Sequence, residues 1–123
     1  MSNQEINLRE DKLRIIQEFV PGKQITIAHV IANPESSLFS KVGLVEGGMK
    51  SAIGIVTMTP SDTAIIASDI AMKTSGVELG SVDRVNGTLL VTGSVSEVEA
   101  ALAAIVEFAE KKLGFSVCEI TRT

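Results

Sequence analysis

A strand, a helix, a β-hairpin and a second helix follow one another within residues 51–113, and this order constrains the fold more than any other feature of the chain. The dipeptide Asn86-Gly87 divides the hairpin. Asn-Gly favours a type I′ turn, because both central residues of that turn need a positive φ. The second helix begins with a predicted capping box from Ser96 to Glu99. This unit predicts an α+β fold in which a ferredoxin-like antiparallel sheet carries its helices on one face.

The two helices have clear sequence signals. Thr59 is the predicted N-cap of the first helix, Pro60 is its first residue, and Gly76 follows its end. Small residues form one face of this helix and allow another element to approach closely; they are Ala64, Ala67, Ser68 and Ala71. Apolar residues follow helical spacing in the second helix, at Val98, Ala101, Leu102, Ile105 and Ala109.

The N-terminal part of the chain predicts three further elements. Residues 13–20 (LRIIQEFV) read as a short strand that Pro21-Gly22 ends. Residues 23–32 (KQITIAHVIA) read as a stronger strand, and a short helix is expected over 35–42. Alternation in the stronger strand predicts one face made of Ile25, Ile27, His29 and Ile31. A last strand is expected over Phe115–Thr121.

Composition excludes several classes of partner. The 123 residues carry eleven Lys and Arg against fifteen Asp and Glu, a net charge of −4, with no basic cluster. Trp and Tyr are absent, so base stacking is disfavoured, and we expect neither a nucleic-acid nor a membrane partner. No apolar run approaches the roughly 20 residues of a membrane helix. The single Cys118 favours a reducing, cytoplasmic location.

Chemically reactive constellations are missing from the sequence. His29 is the only histidine and lies among isoleucines, so a packing or hydrogen-bonding role is favoured over catalysis. Cys118 reads as a small buried hydrophobe, since a thiol nucleophile needs an activating base. Metal sites need three or four ligands, and neither residue lies in a ligand motif. We therefore expect no cofactor, no metal and no enzymatic activity.

The hairpin tip admits two interpretations. It consists of Asp83, Arg84, Val85, Asn86 and Gly87, which place opposite charges beside a tight turn. In the first interpretation the tip is an exposed turn with a surface ion pair worth about 0–1 kcal/mol. In the second, the tip lies at a symmetry axis, where each side chain recurs in every subunit around an opening.

Several stretches resemble one known family in the same order along the chain. They are IIQEFVPGKQITIAHVIANP at 15–34, SAIGIVTMTPSDTAIIASDIA at 51–71, VELGSVDRVNGTLLVTGSVS at 77–96 and CEITRT at 118–123. These segments resemble the circularly permuted shell proteins of bacterial microcompartments, of the EutS/PduU type. The resemblance implies a homohexamer that tiles, with other shell proteins, a shell around encapsulated enzymes. It also implies that the strand and short helix over 23–42, which come last in the unpermuted domain, here come first.

The resemblance further assigns roles to two segments. It places the loop Asp83–Gly87 near the central pore of the hexamer. It also implies that one strand of each subunit joins its symmetry mates in a small β-barrel over the pore. This strand consists of Leu13, Arg14, Ile15, Ile16, Gln17, Glu18, Phe19 and Val20. A closed barrel would remove the unpaired edges of such strands. Three regions follow: a flexible tail over 1–12, the barrel strand and turn over 13–22, and the permuted shell domain over 23–123.

One departure from the family and one alternative accompany this interpretation. The unpermuted domain has a Lys or Arg after its first strand, at hexamer edges, whereas this chain has Thr57-Met58-Thr59-Pro60. Edge contacts are therefore not transferred to this chain. The alternative function is a ferredoxin-like regulatory protein that binds a small molecule between subunits.

Overall fold

The computed structural model describes residues 22–44 and 51–123, and it contains a five-stranded sheet with helices. In chain order the elements are β1 (Gln24–Ala32), α1 (Ser36–Lys41), β2 (Ala52–Thr59), α2 (Thr63–Thr74), β3 (Glu78–Asp83), β4 (Thr88–Gly93), α3 (Val95–Lys112) and β5 (Thr121–Arg122). The strands are ordered β3-β4-β2-β1-β5 in the sheet. The first four pair antiparallel, while the two-residue β5 is parallel to β1. The predicted α+β class is confirmed, with a last strand much shorter than expected.

The two long helices cover one face of the sheet. The small face of α2 is buried, as its sequence predicts, and so are the five periodic apolar residues of α3. Leu102 and Ile105 are among the largest fully buried side chains of the described residues. Burying a side chain of this size stabilises the fold by about 1.5–3 kcal/mol. Most of the core therefore lies between the sheet and α2 and α3.

Helix α1 lies on the opposite face, so the expectation that all helices share one face does not hold. Phe39 of α1 and the following Leu44 form a second buried cluster with Ile53 of β2. Ile53 alternates along β2 with Gly54, whose Cβ position would contact Val98 of α3. The two neighbours therefore point to opposite faces. The second cluster therefore covers the sheet around Ile53, on the face opposite to α2 and α3.

A β-bulge removes Ile25 from the face predicted for β1, while Ile27, His29 and Ile31 remain together on it. The register against β2 shifts between Ile25 and Ile27. Ile25, Ala28 and Val30 consequently belong to the core with α2 and α3. Ile27 is 47% exposed, and His29 is half-buried. One extra residue in a strand reverses the side-chain alternation beyond it, and simple period-two reasoning cannot detect this.

Two helix starts also differ from their predicted positions. Residues 60–62 form a turn, so α2 begins at Thr63 and not after an N-cap at Thr59. The N-cap of α3 is Ser94, which forms a capping box with Glu97 in place of the predicted pair at 96 and 99. Both helices thus lie near their expected positions with shifted first turns.

Candidate pore loop and the strand ends beside it

The carboxylate of Asp83 organises the hairpin tip. Its Oδ1 accepts hydrogen bonds from the backbone N–H groups of Val85 at 2.9 Å and Asn86 at 3.1 Å. Its Oδ2 accepts from Nδ2 of Asn86 at 2.8 Å, and the N–H of Gly87 donates to the Asp83 carbonyl at 2.7 Å. The Asn86 side chain, followed by the two backbone donors, lowers the pKa of Asp83 below its usual value. The Asp83 carboxylate therefore stabilises the loop through hydrogen bonds within the loop itself.

This geometry corrects the predicted type I′ turn. Residues 84–87 form a four-residue loop between the paired Asp83 and Thr88. Gly87 has a φ of 75°, while Asn33 is the one non-glycine residue of the described ranges with a positive φ. Asn86 thus lacks the positive φ that a type I′ turn requires. The physical reason is the Asp83 side chain, which holds the backbone in a wider loop.

Arg84 and Val85 are the residues that the tip presents to its surroundings. Both are exposed, and Val85 is 85% exposed, more than any other large apolar side chain of the described residues. The surface ion pair expected for a simple exposed turn is missing, since Arg84 has no ion-pair partner within the described ranges. The tip is therefore a hydrogen-bonded loop that projects one cation and one apolar side chain.

The tip lies at the same end of the sheet as the start of β1. The N–H of Met58, near the end of β2, donates to the Gly87 carbonyl at 2.9 Å. Gln24, the first residue of β1, pairs with Thr59. In the strand order only β2 lies between β1 and β4. Because neighbouring strands are about 4.8 Å apart, the start of β1 is close to the start of β4. The chain preceding Gly22 is therefore connected to the fold at the end that carries the tip. The predicted barrel strand, Leu13–Val20, lies outside the described residues.

His29 joins the C-terminal segment to β1. Its Nδ1 is 2.6 Å from Oγ1 of Thr121, and its Nε2 is 2.9 Å from Oγ1 of Thr123. The hydrogen-bonding role predicted for His29 is confirmed. The sequence did not indicate the two threonines, because their contact depends on a pairing between segments about 90 residues apart.

Cys118 is half-buried beside the core and not fully buried as expected. Burial raises the pKa of its thiol above the usual value. Within the described ranges, no three His, Cys, Asp or Glu side chains are grouped so as to hold a metal ion. None of the helices in that same part of the chain is long and apolar enough to span a bilayer.

Comparison with known proteins identifies the class to which this fold belongs. A model of the BMC domain matches residues 52–122. The bacterial microcompartment shell protein PduU of Salmonella typhimurium is 52% identical over 110 residues, which cover 89% of this chain and 93% of PduU. The shell protein EutS of Escherichia coli K12 is 49% identical over 113 residues, which cover 92% and 99% of the two chains. The chain therefore belongs to the BMC-domain family of bacterial microcompartment shell proteins.

Solved structures of the shell protein CutR have the same fold. The flat hexamer of CutR matches with a TM-score of 0.78 and 42% identity, over 85% of this chain and 94% of CutR. A screw form of CutR matches with a TM-score of 0.76, over 84% and 100% of the two chains. CutR is thus known both as a flat hexamer and as a screw. The shared fold and the named relatives support a structural shell role for this chain.

Proposed function

We propose that this protein is a non-enzymatic, hexameric tile of a bacterial microcompartment shell. In this proposal the loop Asp83–Gly87 surrounds a central pore, and residues 13–20 of the six subunits close that pore as a β-barrel. The partners are identical copies, other shell proteins and, through the interior of the shell, encapsulated enzymes. The observation that carries the proposal is the common position of the tip and the start of β1 at one end of the sheet. A strand that enters at this end can reach an axis that the tip also approaches.

The hexamer is supported by the CutR structures. A chain that forms both a ring and a screw is using a head-to-tail contact, because such a contact closes into a ring at one rotation and winds into a helix at another. This chain has the same fold as CutR and is 42% identical to it over 85% of its length. A head-to-tail ring would place the same end of every subunit at the axis.

The circular permutation is supported by the position of β1. The BMC-domain model matches residues 52–122 and leaves β1 and α1 before the match. Yet β1 lies inside the sheet, between β2 and β5. A strand that is integral to the sheet but precedes the matched region is what a permuted order would produce.

The alternative of a small-molecule regulatory protein is less favoured. The curated relatives of similar length are named as shell proteins. A regulatory protein would bind a metabolite tightly and change its oligomeric state in response. A shell tile would form sheets, tubes or other lattices without any ligand.

Light scattering coupled to size exclusion, followed by electron cryomicroscopy, tests the proposal. We expect the full chain to elute as a hexamer whose axis is blocked, and a variant that begins at Pro21 to remain a hexamer with an open axis. A full-length monomer or dimer at micromolar concentration would refute the hexamer. A full-length map with residues 13–20 packed inside their own subunit, away from the axis, would refute the barrel and leave the hexamer intact.

A further inference from the structure

An apolar ridge runs along one edge of the molecule. It consists of Ile65 and Met72 of α2 and Leu79 of β3, which are 47%, 52% and 40% exposed. Ile65 and Met72 are seven residues apart and so lie on the same side of α2. Strand β3 is the outermost strand of the sheet, and α2 packs against it. We call these three residues the α2–β3 ridge.

A groove lies at the opposite edge of the sheet. Its volume is about 480 Å³, and its lining includes Ile27, His29, Ile55, Cys118, Glu119 and Thr121. We call it the β1–C-terminal groove. The groove forms where the C-terminal segment separates from β1 between two attachment points. Ile25 donates to the Ser116 carbonyl at 2.9 Å, and pairing resumes only at Thr121 opposite His29.

The bulge in β1 makes this groove apolar. It lies beside Ile27 and turns that side chain away from α2 and α3. Ile55 of β2 lies beside His29 on the same side of the sheet and contributes a second apolar wall. With Ile25 buried, a strand with regular alternation from that residue would also bury position 27. The fold therefore leaves an apolar concave surface at one edge and apolar protruding side chains at the other.

We infer that the α2–β3 ridge of one subunit packs into the β1–C-terminal groove of the next copy of this chain. The inference rests on the proposed hexamer and assigns its subunit interface. Because the ridge and the groove lie at opposite edges of the sheet, a single two-fold contact cannot engage both of them, and it would leave one surface of each copy uncovered. A head-to-tail contact covers both surfaces in every subunit. It is also the kind of contact that the ring and screw forms of CutR require.

The single cysteine of the chain allows a direct test. Cys118 lines the groove, and the substitution Ile65→Cys places a second thiol on the ridge. Oxidation with diamide removes two hydrogens from each facing pair of thiols and forms a disulfide between neighbouring subunits. Because burial raises the pKa of Cys118, the reaction is run at about pH 9, where more thiolate is present. We expect a ladder of covalent species up to six chains on a denaturing gel.

Two control variants determine whether the contact is specific. Ile66→Cys changes the neighbouring residue, which is 43% exposed but faces the cleft between α2 and α3 beside Phe108. It should give no ladder. The variant Ile65→Cys with Cys118→Ser should also give none, since the contact needs two different cysteines. Met72→Cys provides a second position on the ridge and should reproduce the ladder if Ile65→Cys impairs folding.

Each remaining outcome overturns the assignment. A ladder of equal yield from Ile66→Cys indicates random collision, and dimers from Ile65→Cys with Cys118→Ser indicate a two-fold contact. Absence of cross-links from both ridge variants, in samples that light scattering shows to be hexamers, refutes this interface while the hexamer stands. A monomeric wild-type chain refutes the proposed function together with the interface.

Discussion

Ser94 and Glu97 exchange hydrogen bonds at the first turn of α3. Oγ of Ser94 accepts from the N–H of Glu97 at 3.2 Å, and Oε1 of Glu97 accepts from the N–H of Ser94 at 3.0 Å. The same carboxylate fills the space where a Cβ on Gly76 would lie, 2.5 Å from Oε2. Oγ of Ser75 also donates to the Glu97 carbonyl at 3.0 Å. The capping box therefore ties the start of α3 to the segment that follows α2.

The substitution Ser94→Ala should lower the free energy of unfolding by about 1 kcal/mol, because it leaves a helix N–H without its partner. Ser96→Ala is the matched control, since the Ser96 hydroxyl is exposed and lies 3.4 Å from the Ser94 hydroxyl. It should change the unfolding free energy by less than about 0.5 kcal/mol. Urea denaturation followed by circular dichroism measures both. If Ser96→Ala lowered the free energy of unfolding more than Ser94→Ala does, the result would favour the capping box between Ser96 and Glu99 that the sequence predicts.

The capping box lies two residues before its predicted position, and the local sequence does not determine this choice. Both Ser94…Glu97 and Ser96…Glu99 have the spacing of a capping box. The choice depends on where β4 ends, and the pairing of Gly93 with Ala52 sets that end. The buried residues of α3 were predictable, because helical periodicity is a local property. The first turn was not, because a neighbouring strand fixes it.

The candidate site divides in the same way. The sequence located the hairpin tip but not its turn type, because the Asp83 side chain outweighs the preference of Asn86 for a positive φ. The bulge at Ile27 and the contacts of His29 with the C-terminal threonines depend on pairings between distant segments. No local pattern in the sequence indicates either feature. The resemblance to a family assigned a pore to the tip, which the residues alone left open.

The substitution Gly54→Ala should destabilise the fold by about 1–3 kcal/mol through overpacking. A Cβ at this position would lie 2.7 Å from Cγ1 of Val98 and 2.9 Å from Cδ1 of Leu102, so α3 must move away from the sheet. Gly43→Ala is the control, because no atom lies within 4 Å of its Cβ position. With a φ of 84°, it should cost only the backbone strain of about 1–2 kcal/mol, without displacing α3.

Crystal structures of the two glycine variants separate overpacking from strain. We expect a shift of α3 in Gly54→Ala and an unchanged α3 in Gly43→Ala. An unshifted α3 together with wild-type stability in Gly54→Ala would show that the packing between α3 and the sheet accommodates an added methyl group, which contradicts the prediction.

The order of the hairpin tip should depend on pH through Asp83. Its hydrogen bonds hold the pKa below the usual 3.8, so the folded loop favours the charged carboxylate. This stabilisation is fully present above the unfolded pKa and is lost as the pH falls through the lowered folded value. We expect the amide signals of Val85 and Asn86 to shift below about pH 4 in NMR titrations. Asp83→Asn should abolish that dependence, and a titration of Asp83 at its usual pKa would contradict the expectation.

The substitution His29→Ala should loosen the C-terminal segment without unfolding the protein. In the wild type, the hydrogen bonds of His29 to Thr121 and Thr123 each stabilise the attachment of this segment by about 1 kcal/mol. Losing both bonds costs about 2 kcal/mol, so amide exchange at Thr123, whose N–H donates to the Val30 carbonyl at 2.9 Å, should accelerate up to roughly thirtyfold. The ion pair between Arg122 and Glu99, at 2.9 Å, remains and limits the opening. Thr26→Ala, on the same strand, should leave this exchange unchanged in hydrogen–deuterium mass spectrometry, and equal acceleration in both variants would show that His29 does not hold the segment.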